Sequence, residues 1–408
     1  MNRRFFLKNT LSASILSALA IDGLLKVSIP AAGHDIKSLV LVQLEGGNDG
    51  LNTVIPLDQY ANLSRARKNI MIPEKRVLPL KDSALTGLHP ALTELRELYD
   101  HKQLTIIQGV GCPNPDLSHF KAIDIWHTGY DLPSTIPTGW VGRFMDQKPE
   151  SGHPKAIQIG TSLSKVLQGA SSSAGMIVRN TSFFYDLVPG AYDPAPRSLA
   201  GDQLSFLRTN AEESKTYLSK VKEAAAKQKN LSSMYPAGNA LADQLKIVAQ
   251  LIGGGLRTQV YVVNIKGFDT HDEQVEASDT TKGSHASLLA GVSRAIAAFE
   301  DDLALMGKQD NVLGMAYSEF GRRIKSNASY GCDHGTSAPV LLFGSKLKGG
   351  LVGHNPIIAD KIEVNDNLPM QTDFRSVYAS ILKGWFGVSN QAMDSTLMAK
   401  YPLLDLFS

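Results

Sequence analysis

Four short stretches concentrate the residues of this sequence that could do chemistry. The first is Glu45-Gly46-Gly47-Asn48-Asp49-Gly50-Leu51-Asn52. Its glycines let the backbone turn tightly and approach a ligand, and Asp49 offers a carboxylate to a metal. Asn-Asp-Gly is equally good turn chemistry with no ligand present. The second is Gly111-Cys112-Pro113-Asn114-Pro115-Asp116-Leu117-Ser118-His119-Phe120, where two prolines stiffen a loop and a helix is expected from Ser118. A serine at a helix start suits a nucleophile, because the dipole and the unpaired N–H groups favour an anion there. A plain helix cap by Asp116 or Ser118 is the alternative. His119 adjoins Ser118, but consecutive helical side chains diverge, so a Ser–His pair is not implied.

The third stretch is Gly267-Phe268-Asp269-Thr270-His271-Asp272-Glu273-Gln274. A carboxylate and an imidazole two residues apart, Asp269 and His271, are metal-ligand types at a usable spacing. A capping aspartate and a surface histidine are the alternative. The fourth is Ser318-Glu319-Phe320-Gly321-Arg322-Arg323, followed by Gly331-Cys332-Asp333-His334-Gly335-Thr336. An apolar strand that delivers Glu319 needs a partner for that charge, since burying it alone is costly. A metal or Arg322 would serve, and Arg322 stands open between oxyanion binding and a simple ion pair. Outside these stretches, His89, His101, His153 and His285 read as helix-start or surface residues, His127 as a helix residue and His354 as a loop residue.

Each stretch follows a run that reads as a buried strand. These runs are Ser38–Leu44, Leu104–Val110, Gln259–Ile265 and Val312–Ser318, with Ala156–Ile159 and Val340–Phe343 as further candidates. Helical periods fall between them, in Leu88, Leu92, Leu95 and Tyr99, and again in Leu288, Leu289, Val292, Ile296, Phe299 and Leu303. A third amphipathic helix runs to Ile252 and is stopped by Gly253-Gly254-Gly255. Buried apolar strands alternating with helices predict a three-layer α/β fold with a mostly parallel sheet. In such sheets ligands sit beyond the carboxyl ends of the strands, where all four stretches would lie. Residues 181–236 include a Lys-, Glu- and Ala-rich helical segment and read as an insertion or cap on the sheet.

The chain opens with Arg3-Arg4-Phe5-Phe6-Leu7-Lys8 and a small, apolar run in which Asp22 is the only charge. Paired arginines before such a run read as a twin-arginine export signal over residues 1–33. A short uncleaved anchor is the alternative, although the run falls short of the ~20 residues that span a bilayer. The domain proper is expected over residues 34–408, working in the periplasm or outside the cell. The whole chain has 408 residues, 43% hydrophobic and 20% charged, with a formal charge of +2. Arg3, Arg4, Lys8 and Lys26 against Asp22 contribute +3 of it, which leaves −1 beyond the signal. No basic stripe argues for nucleic acid, and no later run is long enough for a membrane helix. Two cysteines, Cys112 and Cys332, permit one bridge or two separate thiols.

Together the export signal, GGNDGLN, the Ser118-His119-Phe120 segment, Trp140-Val141-Gly142-Arg143, FDTHDEQ, SEFGRR, DHG and GGLVG resemble the bacterial family called domain of unknown function 1501. That family is placed by distant similarity with the alkaline phosphatases and sulfatases. The resemblance implies a three-layer αβα alkaline phosphatase-like fold with a helical insertion. It further implies a two-metal site in which Asp49, Asp269, His271, Glu319 and His334 are ligands and Ser118 is the nucleophile. Arg143 or Arg322 would clamp the oxyanion. Zinc is the first expectation for the metal, with magnesium, manganese or calcium as alternatives. Two departures stand out. Phe320 follows Glu319 where phosphatases have a histidine, so one ligand is either missing or supplied elsewhere, by His119 or Asp333 for example. Ser118 also lacks the Cys-x-Pro-x-Arg context of sulfatases. The implied activity is metal-dependent hydrolysis or transfer of phosphate or sulfate esters, on small-molecule or polymer-linked substrates. The alternative is a catalytically silent relative that binds or assembles at the cell envelope.

Overall fold

Alternate residues of the first strand, β1 (Ser38–Glu45), enter two different cores. Val40, Val42 and Leu44 face one, and Leu39 and Leu41 face the other. A strand buried on both faces has to be an inner strand of a sheet covered by helices on both sides. The computed structural model has this arrangement and describes residues 36–130, 136–149, 152–170, 175–179 and 215–408. The chain divides into Met1–Asp35 and Ile36–Ser408, and only the second unit is described. The expected export signal, and the expected insertion up to residue 214, lie outside the described residues. Residues 215–227 are helical.

The remaining strands are β2 (Val54–Pro56), β3 (Leu78–Leu80), β4 (Ser83–Leu88), β5 (Leu104–Gly111), β6 (Ala156–Ile159) and β7 (Gly175–Val178). They are followed by β8 (Val260–Lys266), β9 (Val312–Tyr317), β10 (Ala338–Phe343), β11 (Gly350–Val352) and β12 (Thr372–Asp373). The main sheet runs β11-β5-β10-β9-β1-β8-β6-β7, with β12 beside β5. Every pairing in it is parallel except those of β10, which lies antiparallel between β9 and β5. Strands β2, β4 and β3 form a separate small sheet.

The first core is roofed by α1 (Thr93–Asp100) and, later in the chain, by the long helices Ala240–Gly253 and Ser284–Leu305. The opposite core is roofed by α2 (His119–Thr128), α3 (Trp140–Asp146), and the C-terminal helices Phe374–Ser380 and Asn390–Leu397. The three-layer, mostly parallel arrangement read from the apolar runs is therefore present. Two details differ from that reading. Leu88 ends strand β4 instead of opening the helix, because it pairs with Val54 and Leu78 in the small sheet. Short strands β7, β11 and β12 carried too few residues to register as periodic runs.

The parallel pairing puts the carboxyl ends of β1, β5, β8 and β9 on one edge. Because β10 runs the other way, its amino end at Ala338 pairs with Val110 and lies on that same edge. The loop before β10, which carries Asp333 and His334, is thereby delivered to the loops that follow the other strands.

Candidate metal centre

Three imidazoles converge on one carboxylate at this edge. His334 Nε2 and His271 Nε2 lie 3.1 and 3.2 Å from Asp269 Oδ1. His119 Nε2 lies 3.4 Å from Asp269 Oδ2. Ligand atoms of His119, Asp269 and His334 fall within 4.8 Å of one another. The second nitrogen of each ring is held from behind. His119 Nδ1 meets Glu319 Oε1 at 2.9 Å, His271 Nδ1 meets Asp333 Oδ1 at 3.1 Å, and His334 Nδ1 meets the Leu117 carbonyl at 2.8 Å. A carbonyl or carboxylate oxygen only accepts, so each Nδ1 carries a proton, and each Nε2, which meets the Asp269 carboxylate through a proton when no metal is bound, would offer its lone pair to a cation placed between them. This is the way metal-binding histidines are usually fixed.

The geometry also needs a positive centre. His271 Nε2 and His334 Nε2 are 2.9 Å apart, and two lone pairs at that distance repel unless a cation or a proton lies between them. Burial works against the charged form of His334 and, with the nearby Arg322 and His119, lowers its pKa. Burial alone would raise the Asp269 carboxyl, but hydrogen bonds from Arg322 and His334 outweigh it and hold the pKa at about 2. The donor set of three imidazole nitrogens and an ionised carboxylate fits a divalent cation of the zinc type. Magnesium and calcium prefer shells of oxygen.

Glycine chemistry brings the pieces together. Gly46 and Gly47 have φ of +123° and +83°, and a Cβ on Gly46 would lie 2.3 Å from the Asp269 nitrogen. Their backbone groups clasp the fourth loop. Gly46 N–H donates to Glu319 Oε1 at 2.8 Å, and Gly47 and Asn48 N–H donate to Ser318 Oγ at 3.1 and 3.0 Å. Arg322, fully buried, returns the clasp. Its Nε donates to the Gly47 carbonyl at 2.7 Å, its Nη1 to the Cys332 carbonyl at 2.8 Å, and its Nη2 to the Gly46 carbonyl and to Asp269 Oδ1.

Set beside the expectations, the structure brings Asp269, His271 and His334 together and adds His119. Glu319 is close but stands one layer back, supporting His119. Four corrections follow. Asp49 lies outside the cluster; its oxygens accept from Arg67 Nη1 at 2.9 and 2.8 Å and from Gln274 at 2.7 Å, all without solvent access. Arg322 is buried with all three guanidinium nitrogens engaged, so it is not open to an oxyanion. Arg143 is remote from the cluster, with its guanidinium spent on the Thr396, Thr138 and Thr128 carbonyls. His89 and His285 are buried, not superficial, at 1% exposure each; His285 Nε2 bonds Asn48 Oδ1. Ser118 caps α2 without a side-chain bond to its own helix, between Leu117 and His119, which both touch the cluster. Both cysteines are thiols, and Cys332 lies against Asp49.

His119 was legible only as a reserve ligand. Its signal was position alone, since it opens the helix that follows β5 and so lies at the same sheet edge as Asp269 and His271. Beside the cluster an open cleft of about 1130 Å³ extends beyond β1, β8 and β6, and His119, Phe120 and Glu319 form part of its wall.

With this geometry in place, residues 198–397 match the family described as “Protein of unknown function (DUF1501)”. It is the family that the motifs suggested. No curated protein matches the sequence. Among solved structures the chain is similar to a protein of the alkaline phosphatase superfamily from Vibrio parahaemolyticus, at 10% identity and a TM-score of 0.41, over 86% of this chain and 67% of that one. It is also similar to the PsFucS1 sulfatase from Pseudoalteromonas sp., at 12% identity and a TM-score of 0.38, over 91% and 71%. A third is the C-terminal periplasmic domain of EcEptC from Escherichia coli in complex with Zn, at 13% identity and a TM-score of 0.34, over 77% and 74%. No described helix is long and apolar enough to cross a membrane.

Proposed function

We propose that the protein is an exported metal-dependent hydrolase or transferase of phosphate or sulfate esters. Its centre is one divalent cation, zinc by donor chemistry, held by His119, Asp269, His271 and His334. The observation that carries this reading is the convergence of three Nε2 atoms, each on a ring held from behind through its Nδ1, on one ionised carboxylate. A single ion is favoured over two, because Arg67 occupies Asp49 and Arg322 already neutralises Asp269.

A bound cation of this kind would polarise an ester oxygen and stabilise the developing negative charge. The chain's own residues do the rest. Glu319 and Asp333 hold protons on the far nitrogens of His119 and His271 and so fix both rings. Arg322 keeps Asp269 ionised. Ser118 stands at the start of α2, where the helix dipole favours an anion, and its hydroxyl is the nucleophile of the reading.

Elemental analysis of the full chain exported in its native host tests the proposal, together with turnover of p-nitrophenyl phosphate and p-nitrophenyl sulfate. One equivalent of metal is expected, lost in the double variant Asp269→Ala/His271→Ala and retained in Ser118→Ala, which loses turnover. Absence of metal from the unmutated protein, or its persistence in the double variant, would overturn the assignment. A second reading, a silent relative that binds without cleaving, draws on one observation: Arg143 and Arg322 are both committed elsewhere and leave neither arginine for the oxyanion. Stoichiometric metal with no turnover of either ester would favour it.

A further inference from the structure

One stripe of the sheet changes character at its carboxyl edge. On the face that carries Leu39, Leu41, Ala156, Val260 and Val262, the next residues in the same alternation are Gln43, Gln158 and Asn264. Gln43 and Asn264 are direct register partners on adjacent strands. The apolar floor of a core therefore becomes an amide floor where the cleft begins, and all three residues line it.

Two side chains that line the cleft are mostly buried, and one of them holds an unpaired group. Gln43 is 7% exposed and lines the cleft, and its amide is not among the fully enclosed polar groups, so it stays accessible there. His127 is also 7% exposed, and its Nε2 has no hydrogen-bond partner among the described residues. Burial lowers the His127 pKa to about 4, so the ring is neutral, with one donor and one acceptor. Leaving the His127 nitrogen unpaired is costly, and a hydroxyl bound beside it would remove that cost. Across the cleft mouth Phe120 is 88% exposed, on the first turn of α2 beside His119.

We propose that this cleft is a subsite for an uncharged, hydroxyl-rich oligosaccharide segment, which carries the ester group to the His119–Asp269–His271–His334 cluster. The Gln43 amide and a neutral imidazole pair with hydroxyls, which both donate and accept, while Gln158 is bonded to Ser164 and Asn264 to Glu45. Phe120 offers an apolar plate to the C–H face of a sugar ring. A polyanionic chain is disfavoured, because Glu45, Asp243 and Glu319 stand in the wall against Lys266 and Arg179. A lipid chain is disfavoured by the polar floor. The volume, about 1130 Å³, exceeds the ~300–1,000 Å³ of pockets for drug-sized ligands and suits several linked rings. The inference rests on the metal-dependent ester reading only for what happens to the bound chain.

Calorimetric titration of the full exported protein with a panel of neutral hexasaccharides (β-glucan, α-glucan, β-galactan and β-mannan) tests it, with metal content measured on each sample. Phosphatidylglycerol vesicles serve as the comparison probe. At least one hexasaccharide is expected to bind, about tenfold more weakly after Gln43→Leu and after Phe120→Ala. Phe120 is exposed, so that variant keeps its fold even if the buried change does not. If no hexasaccharide binds while the metal is retained, the cleft assignment falls and the metal assignment stands. Phe120-dependent binding in a protein without metal would do the opposite, supporting the cleft and removing the metal. Binding to vesicles alone, or binding indifferent to Phe120→Ala, also overturns the saccharide assignment.

Discussion

Replacing Asp49 by alanine separates a structural carboxylate from a metal ligand. Asp49 and Arg67 have no solvent-accessible side-chain surface, and they meet at 2.8 Å. After Asp49→Ala the guanidinium keeps its bonds to the Ile324 and Arg323 carbonyls but loses its counter-charge. Gln274 loses its acceptor as well. An uncompensated buried charge of this kind costs about 3–5 kcal/mol. At roughly 1.3 °C per kcal/mol for a domain of this size, the melting temperature should fall by about 4–6 °C. Metal content should stay at one equivalent, since Asp49 touches none of the cluster. The double variant Asp49→Leu/Arg67→Met, which removes both charges, should recover much of the loss. The pH dependence has a definite sign. Burial would raise the Asp49 carboxyl, but Arg67 and then His285 and Gln274 hold it below 3.8. Its stabilisation is thus complete above the unfolded value of about 3.9 and is lost as pH falls through the folded one. Differential scanning calorimetry beside elemental analysis reads both effects. A variant that loses its metal while melting within about 1 °C of the parent, less than the shift of a single kcal/mol, would refute this account and return Asp49 to the ligands.

Two further outcomes follow from buried groups. Burial raises the Glu300 carboxyl to about 8, and its Oε1 has no partner among the described residues. The folded pKa lies above the unfolded one, so stability should decline as pH rises from about 4.5 towards 8; Glu300→Gln should flatten that slope and add at most about 3 kcal/mol at pH 7. Urea denaturation at pH 5 and pH 7.5 measures it, and parallel slopes in the two proteins would contradict it. Burial pushes the Cys332 thiol up to about 12. A maleimide should therefore label Cys332 only after unfolding, and label both cysteines then without any reductant; failure to label under denaturing, non-reducing conditions would reveal a bridge instead.

Burial periodicity is local, and the architecture was accordingly readable along the chain. Ser38–Glu45, Leu104–Gly111, Val260–Lys266 and Val312–Tyr317 all announce themselves as apolar runs, and each hands over to a polar loop at its carboxyl end. From that alone, the mostly parallel sheet and the loops that bear Asp269, His271 and His334 could be named. The antiparallel sense of β10 could not, because a run of four or five apolar residues carries no direction.

Which charges face which partner was decided only in three dimensions. Asp49 and Glu319 look like equivalent carboxylates at strand ends, yet one is captured by Arg67 and the other by His119, 200 residues away in sequence. Arg143 and Arg322 look like equivalent cations, yet Arg143 is spent on backbone carbonyls, one of them at Thr396, and Arg322 on the Gly47 and Cys332 carbonyls and the Asp269 carboxylate. Residue type fixes what a group can donate or accept. Long-range packing decides what is left over after those bonds are made, and at this sheet edge the remainder is three imidazole nitrogens and the Asp269 carboxylate.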